Sequence, residues 1–211
     1  MRSEQLLLCA QRLQAIAQAG LTYAANAYDF ERYQEVRSIS AKLLQELTDE
    51  PYEKILGVFA SDTGYPTPKV DVRGVVFRGQ DEILMVREKI DGGRWTLPGG
   101  WADVGCTPFE AAIKEVKEET GLNVRARRLL GLFDKRKHEH PPHPWYVYKA
   151  FILCDWESGA LLDETSETTG ASWFRRDELS GIELSTERTT AAQLETMFQF
   201  ANNPSLPALC D

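Results

Sequence analysis

The sequence predicts an α/β (α+β) fold with an N-terminal helical extension, and three observations carry that prediction. Apolar residues recur at helical spacing through the first 48 residues. Pro51, Gly57, Gly64, Pro66 and Pro68 then crowd one stretch, and from about residue 69 onward β-rich runs are interrupted by two helical segments. The 211 residues suit one to two domains and a core that needs no staples. The expected division is 1–50 as a helical region serving dimerisation or as a cap, 51–68 as a linker, and 69–211 as the main domain.

In the first helix Leu6, Ala10, Leu13 and Ala17 share one face, and Gly20 stands where a C-cap would. In the second, Tyr33, Val36, Leu43 and Leu47 alternate three- and four-residue steps, with Ser40 the polar member. Two short helices cannot close a core by themselves. Their stripes must lie on the rest of the chain or on the same helices of a second subunit. Strands are expected over Val70–Phe77, Glu82–Arg87, Asn123–Phe133 and Trp145–Cys154. One helix is expected around 108–120. Another carries Leu194, Met197, Phe198 and Ala201 before Asn202-Asn203-Pro204 stops it.

A formal net charge of −8 argues against non-specific binding to DNA or to an anionic membrane. Residues 1–68 hold nine acids and six bases, unlike a DNA-binding helix-turn-helix. The longest apolar runs, Leu6–Ala10 and Ala150–Cys154, are far shorter than the ~20 residues that span a bilayer. Glu4, Gln11 and Arg12 break the N-terminal apolar stretch, so no secretory signal is expected. Cys9, Cys106, Cys154 and Cys210 are scattered without a CxxC pair, which suits free thiols in a reducing compartment. A cytoplasmic protein is expected.

The segment Thr107-Pro108-Phe109-Glu110 combines an N-cap, a proline at the first helical position and a capping box, and Gly121 supplies the stop. Phe109, Ala112, Ile113 and Val116 form an apolar stripe. Glu115, Glu118 and Glu119 lie beside it, at i, i+3 and i+4, on one face. A solvated acidic face would account for them if they stood alone. The tight loop Leu97-Pro98-Gly99-Gly100 precedes them, however, and backbone carbonyls with several carboxylates are what hard divalent cations take. From Gly100 to Leu122 the pattern Gly-x5-Cys-x7-Lys-Glu-Val-x-Glu-Glu-x-Gly-Leu resembles the Nudix box, with Cys106 and Lys114 replacing the box's first glutamate and its arginine. In the family those two side chains pair and brace the loop. Here Lys114 has Glu110, four residues earlier, as an expected partner, and Cys106 is expected as a small, semi-buried residue.

The resemblance implies a Nudix-type α/β/α sandwich around a mixed sheet. The helical start, the segment from Gly64 to Arg73, Ser166-Glu167-Thr168, Trp173-Phe174, Leu184-Ser185 and Arg188-Thr189 further resemble the ADP-ribose or CDP-choline pyrophosphatase subgroup with an N-terminal dimerising extension. It implies hydrolysis of a nucleoside diphosphate linked to another moiety, a small-molecule substrate, and a homodimer. It also implies Mg²⁺, with Mn²⁺ as substitute, on Glu115, Glu118, Glu119 and the Gly99 carbonyl. The base is a box glutamate, with Glu115 and Glu118 in the catalytic set, or a carboxylate on a later loop, Glu167 first and Glu164 second. Arg73, Arg87 and Trp145 are the candidates for substrate contact, arginine for phosphates and the indole for stacking. Arg125, Arg127, Arg128, Lys135, Arg136 and Lys137 read mostly as a solvated face, and His138, His140 and His143 as a loop bordering the substrate cleft. Two other readings stay open: a catalytically weak ligand sensor, suggested by Cys106 and Lys114, and an RNA-processing pyrophosphatase.

Overall fold

Helix α1 (Ser3–Tyr23) runs straight through Gly20, where the sequence suggested a stop. A Cβ at that position would lie 2.3 Å from the Tyr33 ring on α2 (Ala27–Gln45), so the glycine serves close helix approach. The structure, a computed structural model, describes residues 3–48 and 50–211. It divides into two compact units, Met1–Pro68 with Pro142–Tyr146, and Lys69–Pro141 with Val147–Asp211.

In the first unit the Asn26 side chain caps α2 by accepting the Asp29 N–H at 2.9 Å. Ser40, the polar member of the α2 stripe, is fully buried and donates to the Ala10 carbonyl at 2.7 Å, so its hydroxyl is satisfied. The stretch expected as a linker contains a third helix, α3 (Tyr52–Ser61). Its prolines and glycine misled for local reasons: Pro51 sits just ahead of the first turn, where a missing N–H costs nothing, and Gly57 has open space around it. Phe59 of α3 completes a small core with Ala10, Ala41 and Leu44, and Trp145 meets it edge-on at 5.9 Å. Three helices and one loop thereby close what two helices could not.

The second unit contains β1 (Lys69–Arg78), β2 (Glu82–Glu88), β3 (Arg94–Thr96), α4 (Pro108–Thr120), β4 (Asn123–Asp134), β5 (Val147–Ser158), β6 (Thr168–Arg175), α5 (Ala191–Asn202) and β7 (Leu209–Cys210). The sheet order is β3-β2-β1-β5-β4-β7, with β6 on β2. β1–β5 and β4–β7 run parallel and the other pairs antiparallel, so the sheet is mixed. Strand alternation decides the layers. Val72 and Val76 of β1 pack with Ala111, Ala112 and Val116 of α4, whereas Val75 packs on the other face with Leu194, Met197 and Phe198 of α5. Each large apolar side chain buried this way contributes roughly 1.5–3 kcal/mol. The result is the α/β/α sandwich that the resemblance implied.

β5 starts at Val147 rather than Trp145, because Pro142 to Tyr146 belong to the helical unit. Among the described residues no helix is long and apolar enough to cross a membrane.

Candidate active site

The loop before α4 is laced to β1. Gly74 N–H donates to the Pro98 carbonyl at 2.8 Å, Val72 N–H to that of Gly100 at 2.8 Å, and Ala102 N–H to that of Val70 at 2.9 Å. Gly99 has φ +144°, and a Cβ on it would fall 2.0 Å from the Val72 carbonyl oxygen, so only glycine passes here. Its N–H points at Glu119 and is accepted by Oε2 at 2.8 Å. At the far end of the loop Thr107 and Glu110 form the capping box, Glu110 accepting the Thr107 N–H at 2.8 Å, and Gly121 ends α4 in the left-handed region. The helix start and the loop are thus both fixed.

The three helical glutamates occupy graded environments. Glu118 is exposed, Glu115 half-buried with its carboxylate against Gly100, and Glu119 only 3% exposed. Burial pushes the Glu119 carboxyl up to about 8; Arg73 and the Gly99 N–H pull it down, and the charges of Glu88 and Glu115 add to the rise. Glu115 is also raised, by burial first and then by Glu118 and Glu167. So is Glu88 at the end of β2, by burial first, with Glu167 and Asp91 adding to it. Six carboxylates, Glu88, Asp91, Glu115, Glu118, Glu119 and Glu167, therefore repel one another across one neighbourhood. A divalent cation would reverse that repulsion, and the donor set is all hard oxygen. Among the described residues no three of these groups already converge as a metal cage. Mg²⁺ does not need one, because it keeps several waters and takes phosphate oxygens.

Glu167 reaches this neighbourhood through a tied turn. Thr165 and Thr168 bond to each other across it, Lys89 N–H donates to the Glu167 carbonyl at 3.0 Å, and the Thr168 hydroxyl donates to the Glu119 carbonyl at 3.0 Å. Glu164 instead pairs with Lys89 at 2.6 Å, which holds its carboxyl below the usual range.

The residues expected at the substrate stand in three different surroundings. Arg73 is buried; it pairs with Asp71 at 2.8 Å, donates to the Leu97 carbonyl at 3.1 Å, and shares Asp71 with the buried Lys149. It thus braces the loop from behind. Arg87 donates to the Gly93 carbonyl at 2.8 Å and lies over the Trp95 ring. Trp145 belongs to the helical unit. His138 meets Asp211 and His140 meets Thr186 and Gln193, while His143 lies in the helical unit. Arg125 and Arg127 pair with Asp155, as a solvated strand face would. Glu88 and Arg188, which bridges to it at 3.1 Å, had no expected role. The one signal was the Leu184-Ser185 and Arg188-Thr189 pattern.

Residues 67–197 match the NUDIX domain, and residues 4–59 match a UDP-X-like, N-terminal oligomerisation domain. A Bacillus subtilis protein named "Putative ADP-ribose pyrophosphatase YjhB" is 43% identical over 203 residues, 96% of this chain and 95% of its own. The chain belongs to the Nudix family. Among solved structures similar to this Nudix hydrolase, a UDP-X diphosphatase has TM-score 0.62 at 30% identity, covering 100% of both chains. An ADP-ribose pyrophosphatase from Streptococcus suis has TM-score 0.61 at 36% identity, covering 69% of this chain and 100% of that one. Nudix hydrolases generally use divalent metal ions, which the oxygen-rich carboxylate neighbourhood fits.

Set against the Nudix box, the two departures resolve physically. Lys114 does not pair with Glu110, whose carboxylate is taken by Thr107; it bonds Asp103 at 2.7 Å and approaches Glu118 at 4.0 Å. The loop is therefore tied to α4 by Asp103, three residues before Cys106, which is exposed rather than semi-buried. Asp103 had no expected role because the pairing depends on how the loop returns to the helix.

Proposed function

We propose that this Nudix hydrolase cleaves the diphosphate of a nucleoside diphosphate linked to a sugar-like moiety, of the ADP-ribose or UDP-sugar type. The reading is carried by the carboxylate neighbourhood around Glu119, built at the end of a helix and loop that bring hard oxygen donors together. The names of the Bacillus subtilis and Streptococcus suis relatives and of the UDP-X diphosphatase support the substrate class.

Glu115 and Glu119, with Glu118 assisting and the Gly99 carbonyl as a further donor, would hold Mg²⁺ or Mn²⁺, which supplies charge neutralisation and polarisation of the phosphate oxygens. Glu167 takes the proton of the attacking water. Its turn places its charge close enough to act on both Glu115 and Glu88, whereas Glu164 is committed to Lys89. Arg73 keeps the Gly99 loop in register and offsets part of the negative charge from behind. The loop tie from Asp103 to Lys114 supplies what the box's missing pair would, which favours an active enzyme over a silent sensor.

A substrate panel tests the proposal: ADP-ribose, a UDP-sugar, CDP-choline and a dinucleotide, each assayed with Mg²⁺ or Mn²⁺ by phosphatase-coupled phosphate release. ADP-ribose or the UDP-sugar should be turned over fastest, activity should vanish in EDTA, and either metal should restore it. Full turnover in metal-free buffer would end the mechanism, and a clear preference for the dinucleotide would end the substrate assignment.

A further inference from the structure

The segment from Glu183 to Thr190 is built more firmly than a surface connection needs. Trp95 N–H donates to the Glu183 carbonyl and Ser185 N–H to the Trp95 carbonyl, both at 2.8 Å, laying the segment along β3. The Ser185 carbonyl then accepts the N–H groups of Arg188 and Thr189 at 2.8 and 2.9 Å. Ser185 and Thr189 are fully buried, and the Thr189 hydroxyl meets that of Thr96 at 2.8 Å. This frame fixes where the Arg188 side chain leaves the backbone. Its guanidinium reaches Glu88 at 3.1 Å, the Ser185 hydroxyl at 3.2 Å and Asp91 at 3.7 Å. Glu88 links Arg188 to the carboxylate neighbourhood, because its charge acts on Glu119 and answers both Arg188 and Arg73, and its β2 position pairs with Thr168, whose hydroxyl donates to the Glu119 carbonyl. Arg73 is sealed behind the loop, whereas a quarter of the Arg188 side chain is open to solvent.

We propose that Arg188 is a phosphate-binding residue of this hydrolase, kept in register by Glu88 and Asp91 and able to exchange them for the phosphoryl oxygens of the substrate. The proposal rests on the diphosphate reading above. A diphosphate approaching this acidic neighbourhood needs positive charge on the side that the carboxylates do not supply. A planar guanidinium fork matches phosphoryl oxygens bidentately, as it matches the carboxylates that now hold it. The competing explanation is a plain staple between β2 and the Glu183–Thr190 segment. In that case substitutions at Glu88 and Arg188 would act on stability alone.

The test uses the full chain and two probes: Mn²⁺ alone, followed by electron paramagnetic resonance, and imidodiphosphate in the presence of Mn²⁺, followed by calorimetry. Arg188→Ala should weaken imidodiphosphate about tenfold or more while leaving the affinity for Mn²⁺ alone within about twofold. Arg188→Lys keeps the charge without the fork and should still bind about fivefold more weakly than the parent. Glu88→Gln, which releases the guanidinium, should tighten imidodiphosphate binding. Opposite signs at the two partners are not what a staple produces. Unchanged affinity in Arg188→Ala, or weakening in both Arg188→Lys and Glu88→Gln, would overturn the proposal while leaving the diphosphate reading in place. If Arg188→Ala does not fold, the lysine and glutamine variants decide. A parent protein that binds neither probe would remove the diphosphate reading, and this proposal with it.

Discussion

Deep burial and the charges of Glu88 and Glu115 raise the Glu119 carboxyl against the opposing pull of Arg73 and the Gly99 N–H, and a cation bound there would favour the charged form. Glu119→Gln retains a side-chain oxygen able to accept the Gly99 N–H, and it removes the charge. The variant should therefore fold, melt in EDTA at least as high as the parent, and lose about a hundredfold or more in kcat with Mg²⁺. Near-normal turnover would remove Glu119 from the metal set. A second prediction concerns the loop tie. A double-mutant cycle of Asp103→Asn with Lys114→Gln should show coupling in kcat/KM, and one of Glu110→Gln with Lys114→Gln should show none, because Glu110 is occupied by Thr107. The reverse outcome would mean that the loop folds back differently. At this scale the helical glutamates were legible because their spacing is local. Glu88, Asp103 and Arg188 were not, since each gains its partner only when distant strands and loops meet.

At the scale of elements, α4 could be read from end to end because its cap, first-turn proline and terminal glycine are all in the sequence. The short β3 and the polar-rich β6 could not, because their pairing with β2 is what makes them strands. The N-terminus of α5 carries a device of the same long-range kind. Gln193 Oε1 accepts the Thr190 N–H in a capping box, which turns its amide nitrogen toward His140 Nε2 at 3.0 Å. His140 Nδ1 faces the Thr186 carbonyl at 2.6 Å. The ring is thereby held as the neutral tautomer with its proton on Nδ1. Burial lowers its pKa to about 4, the Thr186 carbonyl opposes the shift, and the charges of Lys149, Lys135 and His138 add to it. The unfolded chain protonates its histidine near pH 6.5 and the folded one near 4, so the unfolded state binds more protons in between and stability falls as pH drops through that window. Gln193→Glu keeps the cap and turns the facing donor into an acceptor. Urea midpoints measured from pH 7 to 4.5 should fall less steeply in that variant than in the parent. An unchanged slope would show that His140 does not govern this window.

For the whole molecule, the apolar runs are too short for a membrane-crossing helix, and the helical beginning could be read from spacing. Its third helix was hidden by prolines and glycines that suit a connection equally well. The remaining question is what the first unit's outer face does. Leu8 and Ile16 on α1, with Arg12 between them at four-residue steps, and Ile39 on α2 are 41–44% exposed, although α3 already gives the unit a core. Apolar side chains left outside a closed core suit a second copy of the same face, and the match to an oligomerisation domain points the same way. We propose a homodimer through these helices. Ile16→Glu with Ile39→Glu places charges on surface that a monomer leaves in water, where such changes alter stability by only about 0.5 kcal/mol. Across a dimer interface the same two carboxylates would be desolvated and would meet their own copies. By light scattering the parent should therefore be a dimer and the doubly substituted protein a folded, soluble monomer. Deleting residues 1–48 should give a monomer or an aggregate, depending on what the remaining surface exposes. A parent that scatters as a monomer at high concentration would rule out the dimer and leave the helices as a cap.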